Sequence, residues 1–276
     1  MPSASASCKP STPNFWLGYK AVATRKENSE IGSDHRRKQW YRPALSSFGT
    51  AAERATFLAV DLSTHTGVRD AAKRVLDEHD HFDAILHSAG VYTPGKDLRT
   101  ADGLSLYFAV NYLSRYHLTQ LLLPGLRPAQ DRRVIMMTAK IDLATTVDLD
   151  LFPRFEPFNF RRQSDQMVMG NFHYAAHLTR TQPGLRTAVV NAGAAKTDIL
   201  RHMPSYMRAV SVVIGPLFFN SIEQSAHNPV QASIRDDWPA ATYWEKPGDF
   251  EHRTPIILDE SVTRRIVHVS RELTGA

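Results

Sequence analysis

The chain has 276 residues, a formal net charge of +5, 42% apolar residues and 22% charged ones. That size and balance suit one large α/β domain and argue against a fibrous or wholly disordered chain. Cys8 is the only cysteine, so no intrachain disulfide forms and a reducing compartment fits.

Met1 to Pro13 is rich in Ser, Ala and Pro and reads as a disordered tail. It lacks the apolar core of a signal peptide, so a cytoplasmic location is expected. Residues 14–276 are read as a single domain whose pattern is clear from about residue 55. Between Asn14 and Gly49, Trp16, Trp40 and Tyr41 are scattered among charges with no period of 2 or 3.6. The basic run Arg36-Arg37-Lys38 has no recognition motif beside it. It reads as a solvated face, and no nucleic-acid partner is expected.

Thr56 to Leu62 is read as a strand ending in Asp61. A helix follows from Thr66 to Glu78, with Val68, Ala71, Ala72, Val75 and Leu76 on one face. Next come an apolar run, Phe82 to Val91, and a turn at Tyr92-Thr93-Pro94-Gly95. A long amphipathic segment from Asp102 to Leu123 follows, then a second apolar run from Arg133 to Thr138. Strand, crossover helix and strand imply a parallel sheet, and repetition of the unit implies a doubly wound, Rossmann-like α/β fold. Within the long helix Leu104, Phe108, Leu118 and Leu122 read as core. Asn111 sits mid-helix, where an unpaired amide costs on the order of 1–3 kcal/mol. It either serves chemistry or bonds the backbone of a neighbouring strand.

Residues 140–163 form a connection rich in acids and phenylalanines. It covers an apolar pocket or packs on its own rings. His173 and His177 share a helix face, but no third ligand is evident and no metal site is expected. Leu185 to Asn191 is a further strand, and Met203 to Phe219 reads as a substrate lid, with packing or membrane-surface contact left open. The apolar run from Ala209 to Asn220 is too short to span a bilayer. Ser221 to Ile234 is read as helix, Ala240 to Trp244 as the last strand and Glu260 to Leu273 as the C-terminal helix.

His87-Ser88-Ala89-Gly90 and Ala109-Val110-Asn111-Tyr112-Leu113 resemble two motifs of the short-chain dehydrogenase/reductase family, its Asn-Asn-Ala-Gly turn and the helix carrying its catalytic asparagine. The likeness runs from about residue 55 to 274 and is similar to fungal biosynthetic members. It implies an NAD- or NADP-dependent oxidoreductase acting on a small apolar metabolite of secondary metabolism, with a homodimer as one assembly. Asp61 and Leu62 would lie beside the adenine ring, and Ser88, Ala89 and Gly90 along the dinucleotide. Gly193-Ala194-Ala195-Lys196-Thr197 resembles the family's Pro-Gly-x-x-x-Thr, which assigns Gly193 and Thr197 to the cofactor. Asn111 would hold a water in a proton relay. Asp61 reads equally as a helix cap, and so does Thr197.

The same comparison exposes departures. The nearest match to the glycine-rich turn, Thr24 to Gly32, keeps only Gly32 of three glycines. The 28 residues between Gly32 and Asp61 fall short of the roughly 40 that a helix, strand and second helix need, so the first βα unit is read as shortened or irregular. Ala139 replaces the catalytic serine, leaving Thr138 one residue away. Counting back from Gly193 puts Arg161 and Asp165 where the family has Tyr and Lys. Tyr174 is the nearest tyrosine, about three and a half turns further along its helix than required. Arginine stays protonated, and an aspartate repels a phenolate where an ammonium would stabilise it. The residues therefore leave open a family oxidoreductase, a silent binding member and a cofactor-free isomerase or cyclase.

Overall fold

The computed structural model describes residues 58–126, 132–193 and 220–276. The tail at 1–13, the stretch from Thr24 to Gly32, Thr197 and the expected lid at 203–219 all lie outside the described residues. Four parallel strands form the sheet: β1 (Ala84–His87), β2 (Arg132–Thr138), β3 (Leu185–Asn191) and β4 (Thr242–Trp244). A short antiparallel β5 (Thr254–Pro255) closes the edge beside β4. Strand order along the sheet follows chain order, so each parallel connection is a crossover carried by helix.

The crossovers set two layers. On one face lie α1 (His65–Glu78), the composite helix α2 (Leu106–Phe108, Ala109–Leu113 and Ser114–Leu122), α3 (Phe160–Thr181) and the C-terminal α5 (Glu260–Thr274). On the other lies α4 (Ile222–Ile234), beside Ala232, Trp238, Trp244 and Phe250. Alternation along the strands divides their side chains between the faces. Val134, Met136 and Val189 join the larger core, while Ile135, Ala188 and Val190 join the smaller one. The doubly wound parallel sheet expected from the sequence is what forms.

Local chemistry explains the boundaries. The Thr64 side chain accepts from Gly67 N at the start of α1, and Ser221 and Gln224 form a reciprocal capping box at α4. Asp259 accepts from the amides of Ser261 and Val262 at α5. That helix ends on Gly275, whose φ of 69° favours glycine.

Two expected elements differ. Residues 58–61 form no strand among the described residues. There the Asp61 carboxylate accepts from the amide and hydroxyl of Ser63 and shapes a turn into the helix. The cap itself is Thr64 rather than Asp61. The helix expected from Asp102 begins only at Leu106. Thr100 N donates to Leu104 O at 2.8 Å, and Leu106 N donates to Leu98 O at 2.7 Å. These bonds make a tight turn through Gly103, φ 76°, before the helix opens.

The segment between β2 and α3 packs on its own rings. Phe152 and Phe155 are buried edge-on or tilted against each other and against Phe108. That is the self-packed alternative of the sequence reading.

At α1 the close approach is severe: a Cβ on Gly67 would lie 1.9 Å from Asp61 O. Gly67→Ala is therefore expected to lower stability by about 1–3 kcal/mol, the range for overpacking, measured as a reduced urea midpoint. A second expectation concerns His87. Its ring is buried and bonds Thr119 Oγ1 at 2.7 Å, and burial, then the Arg115 charge, lowers its pKa to about 3. Between the unfolded value and about 3, the unfolded state binds the extra proton. Stability should fall as pH drops below that of free imidazole, by up to about 1.4 kcal/mol per pH unit from this group. His87→Gln should flatten that slope in unfolding curves taken across the interval.

Candidate active site

In open α/β sheets ligands sit outside the carboxyl ends of the strands. Here that edge is formed by Ser88 to Tyr92 after β1, Thr138 at the end of β2 with Ala139 after it, and Ala192 and Gly193 after β3. Strands that stop leave peptide groups without ladder partners. Side chains of α2 supply them.

Asn111 lies in the π-helical turn Ala109–Leu113, a local widening of the helix often found at functional sites. Its Oδ1 accepts from Val91 N at 3.0 Å, and its Nδ2 donates to Val91 O at 2.9 Å. The amide thus behaves as one more strand residue and clasps the β1 exit. This matches the reading in which Asn111 bonds neighbouring backbone. Gly90 is needed beneath it, because a Cβ there would lie 2.9 Å from Asn111 Oδ1. The Asn111 carbonyl also accepts, at 3.1 Å, from Asn171 Nδ2 of α3.

One turn along α2, Arg115 is buried. Its Nη1 donates to Met137 O at 2.7 Å and to Asn171 Oδ1 at 3.3 Å, and its Nη2 donates to Ala89 O at 2.9 Å. One guanidinium therefore joins the residue before Gly90 to the residue before Thr138. All three acceptors among the described residues are neutral, and Nε makes no hydrogen bond there. Burial lowers its pKa to about 10, while the Tyr107 phenol pulls the other way.

On the N-terminal side of Asn111, Tyr107 is half-buried and its hydroxyl lies 3.2 Å from Ser164 Oγ on α3. Phe160 packs on Tyr107 with ring centroids 4.9 Å apart and on Tyr92 at 5.2 Å. These three rings form an aromatic wall beside the β1 exit. Burial raises the Tyr107 pKa; the Ser164 bond and the Arg115 charge oppose the rise, and Tyr92 and Asp165 add to it.

The sequence-derived candidates distribute unevenly. Thr138 is half-buried at the end of β2, with its hydroxyl donating to Ala139 O at 3.0 Å. Arg161 is exposed on the first turn of α3, and Asp165, half-buried, follows one turn on. Asp165 is held above the usual carboxylate range by burial, against the pull of Arg161. Tyr174 lies in the core, donating to Tyr116 O and accepting from Gln120 Nε2, which removes it from the cleft. The His173 ring is taken by Thr263 Oγ1 at 2.8 Å.

For a dinucleotide, the described part of the edge fits. Ser88 is exposed, and Gly90 and Gly193 are half-buried; the Asn111 side chain lies close over Gly90, and those of Asn220 and Pro247 close over Gly193. Gly193 has φ 66°, and its amide donates to Asn191 Oδ1 at 2.8 Å. Asp61 is exposed, and its Oδ2 makes no hydrogen bond among the described residues. The Leu62 side chain belongs to the core. A small hollow beside it is lined as much by Val68, Leu104, Ala109 and Leu113 as by Ser63, Thr64, His65, Asp102 and Ser114. Gly32 and Thr197 lie outside the described residues.

The chain is similar to several known proteins. A model of the short chain dehydrogenase family matches residues 21–145, and so begins before the stretch from Thr24 to Gly32. These likenesses support the short-chain dehydrogenase/reductase family. A family member of Armillaria gallica is 29% identical over 57% of this chain and 53% of its own length. Human retinol dehydrogenase 14 is 23% identical over 84% of this chain and 69% of its own. The chain thus spans about half the length of the Armillaria relative and about two thirds of the human one. Among solved structures, an uncharacterised Mycobacterium Paratuberculosis protein matches with TM-score 0.58, at 18% identity over 83% of this chain and 80% of its own. A Burkholderia cenocepacia short chain dehydrogenase in complex with NADP matches with TM-score 0.50, at 17% identity over 71% and 76%. These structural likenesses speak to the fold.

Sequence reasoning missed Arg115, Tyr107, Ser164 and Asn171. A signal was present: Arg115 stands seven residues from both Phe108 and Leu122, on the stripe read as core. A cation on that stripe marks a buried charge. The clasp carries an expectation of its own. Asn111→Ala should orphan the Val91 N–H and C=O and lower stability by about 1–3 kcal/mol, read from the urea midpoint, with loss of protection at the Val91 amide in hydrogen exchange.

Proposed function

We propose that this chain is an NAD(P)-dependent oxidoreductase of the short-chain dehydrogenase type, acting on a small apolar carbonyl or alcohol metabolite. The observation that carries the reading is the β1 exit. Ser88, Ala89 and Gly90 leave a parallel strand under Asn111, within the stretch that the family model matches. The NADP bound by the Burkholderia relative supports the cofactor class. Among the described residues no helix is long and apolar enough to cross a membrane. A cytoplasmic location, a place in secondary metabolism of the fungal kind and a homodimer belong to the same proposal.

In this reading Asp61 and Leu62 flank the adenine end, Ser88 to Gly90 the middle, and Gly193 the nicotinamide end. Gly32 and Thr197 are assigned to the cofactor by resemblance. The dinucleotide, when bound, supplies or accepts the hydride. The chain's own part is to hold the edge rigid. Asn111 fixes the β1 exit, and Arg115 fixes the β1 and β2 exits relative to each other. Tyr92, Tyr107 and Phe160 offer an apolar wall to the substrate. Thr138, Arg161 and Asp165 remain candidates for polar roles at its rim.

The test is a fluorescence titration of the full chain with NADPH and NADH, followed by cofactor consumption in the presence of an aromatic aldehyde. Saturable binding of either, with half-saturation in the usual range of about 1 μM to 1 mM, and aldehyde-dependent oxidation are expected. Binding of neither overturns the proposal.

A further inference from the structure

Helix α3 does not offer a tyrosine and lysine at the expected turn, yet α2 carries a half-buried phenol, Tyr107, and a buried cation, Arg115, eight residues apart. We propose that Tyr107 is the proton donor to the substrate oxygen, with Ser164 orienting its hydroxyl and the buried Arg115 supplying the positive charge that stabilises its phenolate. This rests on the redox reading above.

Three observations carry it. The Tyr107 ring is half-buried and packs against Phe160, which also touches Tyr92 just after β1. Its hydroxyl has one side-chain partner, Ser164 Oγ at 3.2 Å, which can orient it and pass a proton on. Among the described residues Arg115 has no carboxylate partner; its guanidinium bonds two main-chain carbonyls and an amide oxygen. Arginine side chains on a helix lean toward its N-terminus, which on α2 is the direction of Asn111 and Tyr107. The interaction of the two groups is reciprocal: the cation favours the phenolate, and the phenolate favours the cation. Burial leaves the phenol raised overall, so Tyr107 is protonated at neutral pH and poised to give a proton.

The step balances in the reductive direction. A bound reduced nicotinamide would supply the hydride to the carbonyl carbon and would itself be oxidised. The C=O π pair moves onto oxygen, and that oxygen takes the Tyr107 proton as the phenolic O–H bond breaks. The Tyr107 phenolate regains a proton from water by way of the Ser164 hydroxyl.

The experiment uses the full chain with NADPH and benzaldehyde, chosen to suit the aromatic wall, and a parallel ultraviolet titration of tyrosine ionisation without cofactor. Tyr107→Phe should lower kcat by about 100-fold or more while NADPH binding by fluorescence is unchanged. It should also remove one high-pH titration from the ultraviolet curve. Wild-type reduction should fall only as pH rises through that titration, because the acid form is the active one. Arg115→Gln should move the titration to higher pH and slow turnover, and Arg115→Lys should restore both in part. Ser164→Ala should lower kcat with little change in KM. If Arg115→Gln does not fold, the Lys variant and Tyr107→Phe decide the matter. Turnover that survives Tyr107→Phe overturns this inference alone. Wild-type protein that binds no dinucleotide, or binds it without turnover, overturns the redox reading and this inference with it.

Discussion

A parallel strand that stops at a ligand-binding edge leaves peptide groups with no ladder partner, and burying them unpaired costs on the order of 1–3 kcal/mol each. Two side chains of one helix meet that constraint here. Asn111 takes both polar groups of Val91, and Arg115 takes the carbonyls of Ala89 and Met137. Asn171 links both to α3 through the Asn111 carbonyl and the Arg115 guanidinium. The floor of the edge is therefore set by α2 and α3 rather than by the loops above it. Gly90 follows from the same arrangement, since only a missing Cβ lets Asn111 come that close.

Arg115 sharpens the energetics. A buried ion without an opposite charge is costly, and three hydrogen bonds to neutral oxygens offset only part of the desolvation. The lowering of its pKa to about 10 records that cost. An apolar residue of similar size would avoid it but would strand the carbonyls of Ala89 and Met137. Keeping the charge leaves a positive potential at the carbonyls of Ala89 and Met137, under the β1 and β2 exits. Coupling between edge geometry and edge electrostatics thus resides in one side chain.

How much of this the sequence revealed depended on the kind of signal. The runs around Ile85, Val134 to Met137 and Leu185 to Val190 were legible because strands buried on both faces read as continuous apolar stretches. Ser221 and Glu260 marked helix starts through capping and charge. Around Asp102 the apolar period continued past the true helix start, because hydrogen bonds of the 98–106 turn replace the first helical turn without changing the pattern. At the site, the motif around Asn111 was legible, but its two bonds to Val91 were one of two readings. Counting residues led to Arg161 and Asp165, whereas the hydroxyl actually next to Tyr107 is Ser164, because position on a helix face is fixed by packing and not by spacing from Gly193 alone. Arg115 was passed over because a charge on an apolar stripe looks like noise until its acceptors, three neutral oxygens on distant elements, are known.

On the proposed reading, the edge held by Asn111 and Arg115 is a dinucleotide site with Tyr107 at its reacting end. A crystal structure of the chain grown with saturating NADPH tests it most directly. The account predicts dinucleotide density across the C-terminal ends of β1, β2 and β3, with the nicotinamide on the side of Thr138 and Tyr107. Density confined to another surface, or an empty edge at saturating NADPH, would contradict it.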